Sequence, residues 1–221
     1  MKKIPLALLI TTLAAPAFAA ELPQSATLHY SGNLKIPATM NFSRSGDSYK
    51  IVSTVKVPLY RIRFESGGTL SGNTLIPSYY REIRDGKVYA EAVFNGSNVR
   101  YGKTGSQKSR TINGTTMDLF TLAWQIAAND GTLPNRLNVT NGKKIYPVSG
   151  FSKTGSANYR FSGGSTPVDR YVVRRGGETI QYAFATAFNN VPAQITYRDD
   201  DGKSYNLRLN RLVIDGETVK P

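Results

Sequence analysis

The 221-residue sequence carries a formal net charge of +13 and contains one histidine and no cysteine. The lack of cysteine excludes disulfides, thiol catalysis and thiolate metal sites. A Ser-His-Asp triad or a zinc site would have to use the single imidazole of His29, and no serine lies in a Gly-x-Ser-x-Gly elbow. The composition therefore predicts no catalytic residue, no metal site and no cofactor.

The first nineteen residues predict a cleaved secretory signal peptide. Lys2 and Lys3 precede a largely apolar run over residues 4–15, and residues 17–19 read Ala-Phe-Ala, the small-x-small pattern of a cleavage site. The apolar run is too short to span a membrane, and no cysteine follows it that could be acylated. We expect a bacterial protein that is exported to the periplasm, soluble rather than a lipoprotein, and without a transmembrane segment after cleavage.

The mature chain, residues 20–221, is predicted to keep 26 basic and 15 acidic residues, a net charge of +11. Such a charge attracts anionic partners, which in a cell envelope are lipid phosphates, acidic saccharides and the acidic faces of other proteins. A simpler interpretation is that the charge keeps the protein soluble. The basic residues are dispersed along the chain, and the aromatic residues match no nucleic-acid-binding motif, so we expect no nucleic-acid partner.

Apolar and polar residues alternate with a period of two over residues 60–65, 87–94 and 206–210. This alternation is typical of antiparallel strands with one buried face. Asp-Gly and Asn-Gly pairs, which favour hairpin turns, recur at Asp85-Gly86, Asn141-Gly142, Asp201-Gly202 and Asp215-Gly216. The pattern predicts a mostly β fold: a curved antiparallel sheet or a partly open β-barrel, with two packed sheets as a further arrangement.

One apolar helix is predicted over residues 116–129. Thr115 or Thr116 can cap it, Asp118 suits its positive end, and Asn129 begins the stop signal. Because its apolar stripe is wide, we expect the sheet to cover it, either across an open end or within a concave face. A polar, basic loop is predicted before it, over residues 102–114. The rest forms a single β-rich domain, and a division into two lobes near residues 115–130 is also consistent with the pattern.

Tyrosine is the most suggestive residue type for binding. Thirteen tyrosines recur along the chain, including Tyr79, Tyr80, Tyr89, Tyr101, Tyr159, Tyr171, Tyr182, Tyr197 and Tyr205. Strand propensity and packing explain many of them. The functional interpretation is a groove or mouth in which aromatic rings and nearby arginines hold an amphipathic ligand. The candidate ligand-binding residues are Tyr60, Arg61, Arg63, Tyr80, Arg81 and Trp124, of which Arg61 and Arg63 would contact phosphate and Trp124 is better explained by packing.

The carboxylates have structural interpretations. Glu82, Glu91 and Glu178 lie in predicted strands close to arginine or lysine, which favours cross-strand ion pairs. Gly67-Gly68 matches no phosphate-binding loop and indicates a β-bulge.

Seven segments, in order, resemble one family: LHYSGNL (28–34), GDSYKI (46–51), SGNTLIP (71–77), MDL (117–119), NGKKIY (141–146), NVPAQI (190–195) and DGKSY (201–205). They resemble the exported bacterial family catalogued as domain-of-unknown-function 3108. The resemblance implies a signal peptide followed by one β-rich domain. It implies no catalytic residues, because the family brings no established activity.

Three functional hypotheses follow. The first is a non-enzymatic periplasmic binding or envelope-maintenance protein that contacts an anionic amphipathic ligand such as lipid or lipopolysaccharide. The second is a scaffolding or assembly partner of another envelope protein, using an exposed strand edge. The third is a glycan hydrolase that uses two carboxylates.

Overall fold

The computed structural model describes residues 21–57, 60–198, 202 and 204–221; the predicted signal peptide, residues 1–19, and Asp201 lie outside the described residues. The N-terminal strands are β1 (Ser25–Ser31), β2 (Pro37–Ser45), β3 (Ser48–Val57), β4 (Tyr60–Ser71), β5 (Thr74–Arg84), β6 (Lys87–Asn95), β7 (Asn98–Lys103), β8 (Lys108–Thr111) and β9 (Thr115–Asp118). After helix α1 (Leu119–Ala128) come β10 (Leu137–Thr140), β11 (Ile145–Phe161), β12 (Gly164–Arg175), β13 (Glu178–Ala185), β14 (Val191–Arg198), β15 (Ser204–Ile214) and β16 (Glu217–Val219). The prediction of a mostly β fold with one apolar helix is confirmed.

The strands form one large sheet in the order β8-β7-β6-β5-β4-β3-β2-β1-β15-β14-β13-β12-β11-β10-β9, with β16 added beside β15. Most neighbours are antiparallel, and β9 and β10 form a parallel pair. Pairing of β1 with β15 joins the N-terminal and C-terminal strands in the same sheet. The sheet is open, because its end strands β8 and β9 are not paired with each other in the part of the chain that the structure describes.

Two of the predicted Asp-Gly turns have the expected geometry, whereas at Asn141-Gly142 only the glycine has a positive φ and the loop between Thr140 and Ile145 is longer. Asp85 and Gly86 have φ values of 46° and 79°, and Asp215 and Gly216 have 49° and 88°. These are the positive angles that a type I′ turn requires. The register shifts between Gly67 and Gly68, so the predicted bulge is confirmed. A side chain on Gly68 would place its Cβ 2.0 Å from the carbonyl oxygen of Ile76, which explains why glycine is needed there.

The sequence predicted a loop over residues 102–114, and this prediction is wrong in part. The segment contains β8, which pairs with β7 from Tyr101↔Lys108 to Asn98↔Thr111. All four residues of β8 are exposed. Backbone pairing with β7 forms this strand without any buried side chain, and the sequence pattern therefore gave no signal for it.

Helix α1 is enclosed by the sheet, as its apolar composition predicted. Its residues from Phe120 to Ala128 are all buried. The helix contacts β4 and β5 on one side and β14 on the other. Because β5 and β14 are far apart in the strand order, the sheet must curve around the helix for both to reach it. No helix among the described residues is long and apolar enough to cross a membrane.

The helix begins at Leu119 rather than at residue 116, because Thr115–Asp118 pairs with β10 as a strand. Asp118, and not Thr115 or Thr116, is the N-cap. Its Oδ1 accepts hydrogen bonds from the backbone N–H groups of Phe120 and Thr121 at 2.9 and 3.1 Å, and its Oδ2 accepts from the Thr121 hydroxyl at 2.5 Å. The Ser66 hydroxyl, 3.4 Å from Oδ1, ties this cap to β4.

We expect Asp118→Ala to lower the free energy of unfolding by about 3 kcal/mol, since it removes a cap and leaves buried donors without an acceptor. Asp118→Asn keeps an acceptor and should cost less. Burial raises the pKa of Asp118 above its ordinary value of 3.8. The ionised carboxylate is therefore disfavoured in the folded state, and the Asp118 contribution to stability is largest below pH 3.8 and falls as the pH rises through the folded-state pKa.

Urea unfolding over a pH series checks this expectation. The stability of the wild type should decline relative to Asp118→Asn as the pH rises from below 3.8. A stability difference that stays constant over this range would contradict the role given to burial.

Candidate functional site

The inner face of the sheet is fully buried at one end and partly half-buried at the other. Near the hairpins at 46–47 and 72–73, inward residues such as Phe42, Ile51 and Leu75 have at most 1% of their surface exposed. At the opposite end a group of inward residues is half-buried, while Ala38, which lies opposite Val55, and Glu82, which lies opposite Phe64, are buried. We call the half-buried group the concave mouth: Val55, Ile62, Phe64, Tyr197 and Tyr205.

The length of the helix explains this difference. A ten-residue helix is about 15 Å long, because each residue adds about 1.5 Å. The ten-residue strand β3 is about 33 Å long at about 3.3 Å per residue. The carbonyl oxygen of Ala128, at the C-terminal end of the helix, accepts a hydrogen bond from Asn73 at one end of the sheet. The helix therefore covers only part of the length of the strands. The end of the concave face that is far from Asn73 is not covered by the helix.

The concave mouth is lined by aromatic and aliphatic side chains from both halves of the sheet. The ring of Phe64 lies 5.3 Å from Phe120 at the start of the helix and 6.4 Å from Tyr80. Tyr197 and Tyr205 stack at 4.9 Å. Tyr197 also lies close enough to Tyr80 to influence its pKa, so the two halves of the sheet approach each other here.

Buried polar groups form the floor of the concave mouth. Burial raises the pKa of Tyr80, and the Glu82 and Asp118 carboxylates add to this effect. Glu82 is buried and forms an ion pair with Arg84, whose Nε lies 2.7 Å from Glu82 Oε1. The Arg84 guanidinium also packs 3.6 Å above the Tyr89 ring. Capping by Asp118 and pairing by Glu82 give both buried carboxylates a structural role.

A second arginine lies on the same inner face, in the C-terminal half of the sheet. Arg175 has 5% of its surface exposed. Its Nη2 lies 3.8 Å from Glu178 Oε2, and its guanidinium lies 4.7 Å from the centre of the Tyr146 ring. It is close enough to Tyr182 to lower the pKa of that hydroxyl, although burial and Asp118 raise it more strongly. Arg84 thus borders the concave mouth opposite Ile62, and Arg175 lies on the same inner face beyond Ile180, which pairs with Tyr197.

A family comparison covers most of this fold. The family described as "Protein of unknown function (DUF3108)" matches residues 25–210, which include the strands of the concave mouth and the helix. The chain belongs to the DUF3108 family. A search of curated proteins found no match to the chain. The DUF3108 match confirms the family resemblance seen in the sequence.

The sequence-predicted site residues of this DUF3108 chain fall on two faces. Arg61, Arg63 and Arg81 are exposed on the outer face of β4 and β5. Tyr80 and Trp124 are buried on the inner side, with 4% and 0% of their surfaces exposed. The Tyr60 side chain lies outside the described residues. The structure therefore does not bring the six residues together into one site.

The outer face carries an ordered row of ion pairs. Arg81 Nε lies 3.5 Å from Glu91 Oε2, and Arg100 Nη1 lies 3.0 Å from Glu91 Oε1. Arg63 pairs with Glu65. The predicted cross-strand ion pairs are confirmed for Glu91 and for Glu178, which pairs with Arg175, whereas Glu82 pairs with Arg84 on its own strand β5.

This outer face remains basic despite its ion pairs. Six exposed basic residues share it with the two glutamates, Glu65 and Glu91. We call the six the basic face: Lys50, Lys56, Arg61, Arg63, Arg81 and Arg100. The basic face includes three of the six residues that the sequence singled out.

A separate groove of about 600 Å³ lies at the other end of the helix. It is lined by Thr74, Thr115, Asn129, Asp130, Thr132, Leu133 and Pro134. Short polar side chains dominate this lining, and no arginine or aromatic ring is among the described residues that form it. The groove therefore lacks the chemistry for an anionic amphiphile, and the concave mouth is the better candidate site.

Sequence reasoning named two mouth residues, Tyr197 and Tyr205, only within the larger set of strand tyrosines. It placed Ile62 and Phe64 on a buried face without distinguishing the open end from the covered one. Arg175 was missed, although a signal exists: it follows the inward residues Tyr171 and Val173 with the same period of two. A charged residue in that register indicates a group directed into the concave face.

Proposed function

We propose that this protein is a non-enzymatic periplasmic binding protein for an anionic amphipathic ligand such as lipid or lipopolysaccharide. The observation that carries the proposal is the concave mouth, where inward aromatic and aliphatic side chains are only half-buried. An apolar surface in a concave face is the usual form of a site for small apolar ligands. The adjacent inward arginines Arg84 and Arg175 supply the positive charge that an anionic head group requires.

The basic face supports the proposal in a second way. Its exposed arginines and lysines would raise the local concentration of anionic lipid and orient the protein on a lipid surface. The arginines of these ion pairs have 44 to 47% of their side chains exposed, whereas Glu65 and Glu91 have only 15% and 13% exposed. The exposed guanidinium donors can therefore contact a lipid phosphate while Glu65 and Glu91 stay paired with these arginines.

Mass spectrometry of the exported, purified protein tests the proposal. In native spectra we expect an additional mass from a bound amphiphile, which organic extraction should release and which negative-ion spectra should detect. The extracted protein should then bind anionic vesicles, and added salt should weaken that binding. A protein that carries no amphiphile and does not bind anionic vesicles at low salt would contradict the proposal.

A scaffolding role is the second candidate, and the edge strand β8 favours it. All four of its residues are exposed, and it ends the sheet, so an extended segment of another protein could pair with it. Ser109→Pro would remove a backbone donor from this strand. Loss of a co-purifying envelope protein in that variant, with amphiphile binding unchanged, would favour scaffolding; retention of the partner would exclude this edge.

A further inference from the structure

Arg175 is unusual because it is a buried cation with incomplete pairing. Buried arginines are normally held by several hydrogen bonds, since removing the charge from water is costly. Here the Nε atom is buried and has no hydrogen-bond partner among the described residues. The separation of 3.8 Å from Glu178 is too long for a hydrogen bond. The guanidinium therefore has donor capacity that the protein does not use.

Glu178 is a poorly fixed partner. It lies directly opposite Arg175 across the β12–β13 hairpin, and 29% of its side chain is exposed, against 6% for Arg175. An exposed carboxylate can turn outward into water at little cost. Glu178 can therefore leave Arg175 when a better acceptor arrives from the concave face.

The surroundings of Arg175 specify the chemistry of that acceptor. Val148, a half-buried apolar residue, lies opposite Arg175 on β11. On the other side, Glu178 is followed two residues later on the same face by Ile180, which pairs with Tyr197 of the concave mouth. Ile180 is fully buried, so the apolar chain of an anion bound at Arg175 would have to pack over this side chain to reach Tyr197. Planar guanidinium groups bind carboxylate and phosphate through paired hydrogen bonds.

We propose that Arg175 binds the carboxylate or phosphate head group of a single-chain amphiphile, with Glu178 occupying the position of that head group in the free protein. This inference rests on the proposed function and specifies its head-group site. Arg175 is a binding residue, and Glu178 is a competitor whose removal strengthens binding.

The test compares laurate, dodecyl phosphate and uncharged dodecanol by isothermal titration calorimetry. The wild type should bind both anions about tenfold more tightly than dodecanol. Arg175→Gln should abolish that preference, and Glu178→Gln should increase it. Matched controls are Arg174→Gln, which removes the neighbouring outward and exposed arginine, and Glu217→Gln, which removes an exposed carboxylate.

The outcomes separate this inference from the proposed function. If the wild type binds none of the three compounds, the proposed function and this inference both fail. If all three bind and neither variant changes the preference for anions, the apolar site stands and the role of Arg175 is wrong. If Arg175→Gln does not fold, Glu178→Gln still tests whether Arg175 binds the head group. A purely structural ion pair predicts weaker or unchanged anion binding in Glu178→Gln, whereas a competing carboxylate predicts stronger binding. Preference for one of the two anions identifies carboxylate or phosphate as the natural head group.

Discussion

Replacing Trp124 with alanine is expected to lower the free energy of unfolding by about 4 kcal/mol, the cost of removing a large buried aromatic side chain. Trp124 is fully buried, and its ring stacks on Phe42 at a centroid distance of 4.2 Å. Its indole Nε1–H donates to the Met40 sulfur at 3.3 Å. Trp124 thus joins the helix to β2, and its loss would leave a cavity between helix and sheet.

Guanidinium unfolding followed by far-ultraviolet circular dichroism measures this loss without depending on tryptophan fluorescence. Trp124→Phe keeps a ring against Phe42 and should be less destabilising than alanine. Ile76→Ala removes an exposed outer-face side chain and should change stability by less than about 0.5 kcal/mol. A loss below about 1 kcal/mol for Trp124→Ala would show that the helix does not depend on this contact.

Replacing Val55 with glutamate is expected to weaken laurate binding by at least about tenfold, because a carboxylate in the concave mouth repels an anionic ligand and favours water there. Val55 is half-buried and packs against the core from β3. It lies opposite Ile62, and therefore in the middle of the apolar lining. Titration calorimetry with laurate measures the effect.

Ile76→Glu is the matched control, since it makes a similar substitution on the exposed outer face of β5. We expect its laurate affinity to equal that of the wild type. Equal losses in both variants would indicate a general effect of charge. Unchanged binding in Val55→Glu would place the ligand elsewhere.

The strands and hairpins were predictable because their signals are local. Alternation over residues 60–65 identified the buried face of β4, and the Asp85-Gly86 pair identified the type of the turn between β5 and β6. The start of the helix was predicted three residues early. Thr115–Asp118 has the sequence of a helix start, but pairing with β10 holds it in an extended conformation. Long-range pairing of this kind leaves no mark in the local pattern.

The site was less predictable than the fold. Whether an inward residue such as Phe64 is core or ligand surface depends on where the helix stops along the sheet. That position is set by tertiary contacts such as the hydrogen bond from Asn73 to Ala128. The exposed arginines Arg61, Arg63 and Arg81 were recognisable from the sequence. Their separation from Tyr80 and Trp124 was not, because it depends on which face of each strand points to the inner side of the curved sheet.

The buried Arg175 shows the same limit. Its register with Tyr171 and Val173 indicates an inward side chain, whereas its unused donor becomes visible only when the distance to Glu178 is known. The chemistry of the head-group site therefore comes from the tertiary structure.

Thiol protection measures most directly whether an amphiphile enters the concave mouth. The chain contains no cysteine, so Val55→Cys and Ile76→Cys each provide a single reactive site. We predict that saturating laurate slows the reaction of a maleimide with Val55→Cys by at least about tenfold and leaves Ile76→Cys unchanged, since buried thiols are shielded from reagent. Equal labelling rates of Val55→Cys with and without saturating laurate would contradict the account.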